Sequence, residues 1–390
     1  MKSAMKIVHI HQFFDAGFGY QENILPEYHK DMGNDVVMLT STRKYGFDKN
    51  QSRIEPEGEF IENTFVVKRL KIKGEFPKRF VIFDNLYQAL EKENPDYIFH
   101  HSVTAPSILT VAKYKKRYPN TILVMDNHAD LMISGRNYVW RIFYYNFLWK
   151  LLLNRVSPYV DQFFGVTPDR SKFLIEELGI SPSKVSLLPI GADVKRIPLD
   201  EEKIRKDKST FLKEHNLSSD TFIFCHGGKM SYSKETDVLI HGFMKVEEKN
   251  IILLLFGTFL DEELADLISN DNRIIFLGWQ DRANILKILS FSDMGIWNSQ
   301  HTTLLEDAIA CKLPLILKKY GSTEHLINKN GIFLEKTDKN SIKKNIEKVI
   351  NNEELFKSMI GEADSKRNEL SYEKIAFLSL NYKNITNNTF

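Results

Sequence analysis

The segment KIVHIHQFFDAGFGYQENILPEYHKDMGNDVVMLT, residues 6–40, reads as an apolar run, a loop bearing Gly17 and Gly19, a helical stretch from about Gln21 to Met32, and a second apolar run. Both runs are short, greasy along their length and closed by polar or glycine-rich punctuation, so each is a strand and the whole is a strand–helix–strand unit. The same pattern continues outward with TFVVKRL (64–70), YIFHHS (97–102), TILVMD (121–126) and QFFGVT (162–167). Helical spacing fills gaps such as Phe80 to Leu90 and Ala105 to Arg117. Continuous apolar runs, rather than in-out alternation, mark strands covered on both faces, which predicts a mostly parallel, doubly wound α/β sheet.

After VSLLPI (185–190) the chain turns charged and irregular from Asp193 to Asp220, and this reads as a linker with a short helix. The alternation restarts with TFIFCHG (221–227), NIILLLFG (250–257), RIIFLG (273–278), MGIWNS (294–299), LPLILKK (313–319) and GIFLEK (331–336). Two α/β domains are therefore expected, residues 1–196 and 197–371, followed by a helical tail. Ligands of such sheets bind beyond the carboxyl ends of the strands, so chemistry is expected in the loops that follow strands.

Composition narrows the class. The 390 residues are 43% apolar and 27% charged, which excludes a disordered or low-complexity chain, and about 150 residues per domain gives two or three domains. Lys plus Arg number 53 and Asp plus Glu 51, so the net charge of +2 supplies no field for a dedicated nucleic-acid binder. Two cysteines, Cys225 and Cys311, allow neither a disulfide framework nor a cysteine-based zinc cluster, which fits a reducing cytosol. The apolar start is broken at His11 and Gln12, too early for a signal-peptide core, and the greasy stretch from Tyr138 to Leu153 carries Arg141, Asn146 and Lys150, so no transmembrane span is expected. The location expected is cytoplasmic.

Four loops hold residue types suited to a site. Gly17 and Gly19 precede a helix, where backbone N–H groups can meet an anion, although a plain turn explains them equally well. Their spacing is not GxGxxG and no acidic residue follows Thr40, which disfavours NAD. In FCHGGKMSYSKETD, Gly227 and Gly228 end a strand, and Lys229 and Lys234 follow five residues apart. Two such lysines can hold a diphosphate as point charges, or they can be solvated in a polar loop. In WNSQHTTLLEDAIACKLPLI, polar residues from Asn298 to Thr303 lead into a helix expected near Thr302, with Thr302 and Thr303 at its start and Glu306 among apolar neighbours. DNHAD places His128 just beyond a strand with Asp126 and Asp130 close enough to orient it.

Taken in order, GFGYQEN (17–23), GVTPDRSKFLIEELGISPSKVSLLPIGADV (165–194), GGKMSYSKETDVLIHGF (227–243), FLGWQDRANILKILSFSD (276–293) and LLEDAIACKLPLI (304–316) resemble the retaining glycosyltransferases of the family-four, group 1 type. The resemblance covers nearly the whole chain. It implies the GT-B fold, two Rossmann-like domains facing a cleft, with the C-terminal helix (372–390) returning to the first domain. It further implies a nucleotide diphosphate sugar bound by the second domain and a glycan or lipid-linked acceptor bound by the first, in bacterial cell-envelope polysaccharide synthesis, without a cofactor. Lys229 stands where the family has arginine and Lys234 matches its lysine, both implied to bind the donor diphosphate. Glu306 matches the second glutamate of the family's Glu-x7-Glu motif, implied to bind the ribose, while Asn298 replaces the first. Gly17, Gly19 and Gly228 match glycines of the family's substrate loops, the N–H groups near Thr302 and Thr303 would face phosphate, and His128 is similar to the histidine beside the donor sugar. The chain has no Asp-x-Asp triplet, the metal-diphosphate clamp of the other large glycosyltransferase fold, which fits metal-independent transfer.

Asn298 also motivates a rival from another class, a GT-B-shaped binding or scaffold protein without catalysis, and a nucleotide-sugar epimerase is a further alternative. The aromatic stretch from Trp140 to Arg155, with basic VVKRLKIKGEFPKRF (66–80) and KYKKRYP (113–119), reads equally as a core helix with solvated lysines or as a peripheral contact with the inner membrane.

Overall fold

A computed structural model describes residues 4–45, 53–76, 80–132, 134, 137–197 and 200–385. By its internal contacts the chain divides into two units, Met1–Ile190 with Tyr372–Phe390, and Gly191–Ser371.

In the first unit the described strands are β1 (Lys6–Ile10), β2 (Asp35–Ser41), β3 (Gly58–Glu62), β4 (Phe65–Leu70), β5 (Ile72–Phe76), β6 (Phe80–Phe83), β7 (Tyr97–His100), β8 (Ile122–Asn127), β9 (Gln162–Gly165) and β10 (Val185–Leu187). The main sheet runs β10-β9-β8-β7-β1-β2-β4-β3, parallel except that β3 pairs antiparallel with β4. Strand order therefore reverses at β1, whose neighbours are β2 and β7, and this is the switch point at which doubly wound sheets open a crevice. Successive residues of β1 feed opposite cores. Val8 and Ile10 join a cluster with Leu90, Ile108 and Leu153, and Ile7 joins another with Ile24, Leu25, Tyr372 and Ile375. The helix Tyr372–Leu380 thus packs on the helix Gln21–Asp31, with Tyr28 and Tyr372 stacked at 5.5 Å. Residues 386–390 of the expected terminal helix lie outside the described residues.

The second unit carries β11 (Phe222–Met230), β12 (Ile251–Phe259), β13 (Ile274–Phe276), β14 (Met294–Trp297), β15 (Leu315–Lys318) and β16 (Gly331–Leu334), ordered β13-β12-β11-β14-β15-β16 and parallel throughout. Here β11 is the reversal point. It pairs with β12 over nine residues, an approach close enough that a Cβ on Gly257 would fall 2.1 Å from the Gly228 carbonyl oxygen. Both glycines sit at φ +122°, a conformation that L side chains resist, so glycine is required for this close ladder.

Several expectations change. Phe80–Phe83 is not the start of a helix but a strand that pairs antiparallel with Ile72–Phe76, and the helix begins at Leu86. The aromatic and β-branched FVIF fits a strand, and the Asp84 N–H bond to the Lys71 carbonyl closes the hairpin before the helix can form. The short helix expected within the linker is present and runs to 14 residues, Glu201–Glu214, capped by the Asp200 carboxylate and docked through Phe211 onto Phe291 at 5.2 Å. Residues 191–196 belong with the second unit rather than the first. The Ala192 N–H donates to the Leu370 carbonyl, and Arg367 donates to the carbonyls of Val194 and Ile197. The aromatic stretch is helical throughout, but Arg141–Trp149 winds as a π-helix between the α-helical turns Tyr138–Trp140 and Lys150–Val156.

Candidate functional site

Three interactions bring the loops at the carboxyl end of β11 and β14 together. Trp297 Nε1 donates to the Gly227 carbonyl at 3.0 Å, His226 Nδ1 bonds the Ile296 carbonyl at 2.8 Å, and Asn298 Nδ2 donates to the Glu235 carbonyl at 2.8 Å. Gly228 and Lys229 are the last residues but two and but one of β11, and Lys229 is exposed. Lys234 ends the short turn Tyr232–Lys234, which Ser231 and the Asp261 carboxylate hold through backbone N–H groups. Burial, and then the nearby charge of Lys229, hold the Lys234 ammonium below its usual range. The loop therefore concentrates two mutually repelling cations in a partly dry setting, an arrangement that an anion would relieve.

Asn298 is fully buried, and among the described residues its Oδ1 has no hydrogen-bond partner. The expected helix begins at Leu304 rather than near Thr302, and at seven residues, Leu304–Ala310, it is a short helix. Thr302 and Thr303 precede it, and their carbonyls accept from the Leu305 and Asp307 N–H groups. Glu306 lies in its first turn. Its Oε1 is 2.7 Å from His301 Nε2, both side chains are 3% exposed, and its Oε2 is buried without a partner among the described residues. His301 also donates its backbone N–H to the Tyr320 hydroxyl. His301 and Tyr320 were not anticipated from sequence; a histidine in the polar run before a helix was the available signal. The adjacent Asp307 is pushed up to about 6 by burial, against the opposing charge of Arg282, which it meets through two bonds of 3.0 Å.

In the first unit Gly17 adopts φ +82°, and its N–H donates to Asn63 Oδ1. Gly19 is partly exposed in the same loop. An anion at the following helix start is opposed by the carboxylates of Asp15 and Glu22, both buried there. Glu22 accepts from the Tyr45 hydroxyl at 2.9 Å, and burial raises the Asp15 carboxyl. Such a loop suits hydroxyl groups better than phosphate.

His128 follows β8 with its side chain 39% exposed and its Nε2 3.3 Å from Asp126 Oδ2. Asp126 is completely buried, which alone would raise its pKa, yet it is held well below the carboxylate range because the His128 and His101 imidazoles and their hydrogen bonds outweigh burial. The Ser102 N–H adds a bond of 2.7 Å. Asp130, the other partner considered for His128, instead lies 3.4 Å from Arg170 Nε.

Both units have counterparts among known proteins. Residues 23–196 match the model of Glycosyltransferase Family 4, and residues 207–366 match that of Glycosyl transferases group 1. A curated relative, an uncharacterized glycosyltransferase MJ1059 of Methanocaldococcus jannaschii, is 23% identical over 278 residues, 67% of this chain and 65% of that protein's length. Anabaena HepE, solved in complex with UDP and glucose, superposes with a TM-score of 0.69 at 15% identity, over 97% of this chain and 99% of that one. WaaG, a glycosyltransferase involved in lipopolysaccharide biosynthesis, gives a TM-score of 0.61 at 12% identity over 98% and 100%. With both halves matched in order and two Rossmann-like sheets in place, the chain belongs to the group 1 glycosyltransferases and has the GT-B fold.

Proposed function

We propose that this chain is a retaining, metal-independent glycosyltransferase that moves a hexosyl or related group from a nucleotide diphosphate sugar to a glycan or lipid-linked acceptor of the cell-envelope polysaccharide pathway. The observation that carries the reading is the pair Lys229 and Lys234, like charges held together beyond the central strand of the second unit. A diphosphate placed there would be neutralised where negative charge grows as the sugar leaves. Glu306 offers a buried acceptor oxygen for a ribose hydroxyl, and Gly228, Thr302 and Thr303 line the same loops. HepE, which binds UDP and glucose, and WaaG, of lipopolysaccharide biosynthesis, support the donor and pathway assignments respectively. In the first unit, His128 with Gly17 and Gly19 would serve the sugar and acceptor.

Asn298 favours a second reading, donor binding without turnover, because the position lacks the carboxylate that the family brings to the donor sugar. Its buried, unpartnered Oδ1 instead supports a role in choosing that sugar, since such a group gains most from one well-placed hydroxyl.

The membrane reading rests on the helical stretch that follows β8. Phe143 and Phe147 are 67% and 66% exposed, Val139 and Leu151 continue the same four-residue spacing, and Tyr145, Trp149 and Leu153 are buried on the inner side. Among the described residues no helix is long and apolar enough to cross a membrane. The basic stretches contribute less than their composition promised. Lys68 pairs with Glu59 and Glu93, Arg69 with Glu62, and Lys115 with Asp161, while Pro77, Lys78 and Arg79 lie outside the described residues. Contact with lipid is thus proposed to be chiefly apolar.

Lys229→Ala and Lys234→Ala are each expected to slow sugar transfer at least about tenfold, a loss of roughly 1.4 kcal/mol of transition-state stabilisation, as read by nucleotide release with an acceptor panel. Wild-type rates in both variants would remove the diphosphate assignment. In the same assay Asn298→Glu should change the order of preference among donor sugars; unchanged kinetics with every donor would count against its role in sugar choice. Flotation with anionic liposomes should fall at least about tenfold on replacing Phe143 and Phe147 by serine, given the apolar area lost, and equal flotation of variant and wild type would end the membrane assignment.

A further inference from the structure

Behind His128, three histidines and a serine of the first unit are hydrogen-bonded in series. Asp126 Oδ2 lies 3.0 Å from His101 Nδ1, His101 Nε2 lies 3.0 Å from His9 Nδ1, and His9 Nε2 lies 3.0 Å from His29 Nδ1. His29 Nε2 is then 2.8 Å from Ser379 Oγ, which is also 2.8 Å from the Ala376 carbonyl oxygen. The members come from β8, the residue after β7, β1, the helix Gln21–Asp31 and the helix Tyr372–Leu380, and none is more than 1% exposed.

Each imidazole spends both ring nitrogens within the chain, so the proton positions are not independent. Asp126 is ionised and can only accept, which puts a proton on His101 Nδ1. Burial keeps His9 neutral, and burial pushes His29 down to about 3, so each of these rings carries one proton. Two arrangements satisfy every bond from Asp126 to Ser379, and they differ in whether the Ser379 hydroxyl donates to His29 Nε2 or to the Ala376 carbonyl. In the first, His101 is neutral, His9 and His29 each donate through Nδ1–H toward Asp126, and Ser379 donates to His29 Nε2. In the second, His101 carries both protons and donates to His9 Nδ1, His9 donates through Nε2–H to His29, His29 donates through Nε2–H to Ser379, and Ser379 donates to the Ala376 carbonyl. The two differ by one proton and reverse every bond beyond His101, and the Ser379 hydroxyl turns from His29 Nε2 to the Ala376 carbonyl with no heavy atom needing to move.

We propose that His101, His9, His29 and Ser379 form a one-proton relay whose polarity sets the charge facing Asp126 and so positions His128. In the neutral polarity the Asp126 charge is met by no cation of the relay and holds the His128 Nε2–H, leaving the Nδ1 lone pair turned away from Asp126. In the charged polarity an imidazolium at His101 neutralises Asp126 and loosens that hold. The bearing of this on transfer rests on the proposed placement of His128 beside the donor sugar. The other groups around the relay do not compete for the proton. His100 bonds Ser102 and Ser107, and burial lowers it to about 4; burial also lowers His11, whose Nδ1 lies against the Phe13 carbonyl; the Tyr97 hydroxyl donates to the Ser379 carbonyl; and Glu22 is turned to Tyr45.

The test is nitrogen-15 NMR of histidine-labelled full-length protein, which reads the protonation of each ring nitrogen, titrated from about pH 8.5 to about 5.5. The lower limit follows from linkage: below about 6.5 the unfolded chain binds protons that buried His9, His29 and His100 refuse, so stability falls as pH falls. At the upper end His9, His29 and His101 should all carry Nδ1–H, the minority form of free neutral histidine. On acidification His101 should gain a second proton while His9 and His29 change to Nε2–H at one shared midpoint, and Ser379→Ala should move that midpoint. Separate midpoints, Nε2–H at His9 or His29 above neutrality, or no change over the range would overturn the relay whatever the kinetics. The kcat profile for transfer should show the same midpoint; a switch seen by NMR but absent from kcat upholds the relay and removes His128 from the site.

Discussion

Lys229 and Lys234 repel one another in the loop that leaves β11, and much of the second unit is arranged to keep them there. Their loop is anchored below by the nine-residue ladder between β11 and β12, where Gly228 and Gly257 permit an approach that no side chain would allow. It is tied sideways to the next strand of the reversal by Trp297 and Asn298. A strand order that reverses beside β11 leaves space beyond its end, and Lys229 at the end of β11, Lys234 and Asn298 in the loops after β11 and β14, and Glu306 in the helix after β14 lie on the segments that border it. Holding like charges close together in a partly buried loop is unfavourable, so the arrangement makes physical sense as a site for a polyanion.

The first unit uses the same topology with opposite chemistry. The loop after β1 brings carboxylates rather than lysines, and burial keeps His9 and His29 behind it neutral. Carboxylates such as Asp15 and Glu22 are matched to neutral hydroxyl groups, which donate hydrogen bonds without needing countercharge. This division, cationic in one unit and acid–imidazole in the other, is what distinguishes the proposed donor and acceptor sides more than any difference in fold.

Much of this was legible in the sequence because parallel strands buried on both faces appear as unbroken apolar runs, and their punctuation marks the loops that matter. Local pattern failed where tertiary pairing decided the outcome. FVIF at Phe80–Phe83 has helical spacing with Leu86 and Leu90, yet its partner strand claims it. The short helix expected between Asp193 and Asp220 is present at Glu201–Glu214, but its docking through Phe211 and Leu212, which makes it more than a linker, is not visible in so polar a stretch. Lys229, Lys234 and Glu306 could be picked out because they lie near one another in motifs, whereas the His301 bond to Glu306 required the loop geometry. The relay was least visible of all, since His9 meets His101 across 92 residues and His29 meets Ser379 across 350. In composition the chain is close to electrically balanced, with a net charge of +2, and that balance conceals pairs such as Lys68 with Glu93 as well as the two neighbouring lysines at the end of β11.

The β11 loop and Glu306 are proposed to form a nucleoside diphosphate site, and thermal unfolding of the full chain with added nucleotides reads that binding. A nucleoside diphosphate at about 100 times its Kd should stabilise the protein by about 2.7 kcal/mol, and the matching monophosphate, which reaches fewer of the cations, should shift the transition far less at the same concentration. Equal shifts from the two nucleotides, or none from any nucleoside diphosphate, would contradict the account.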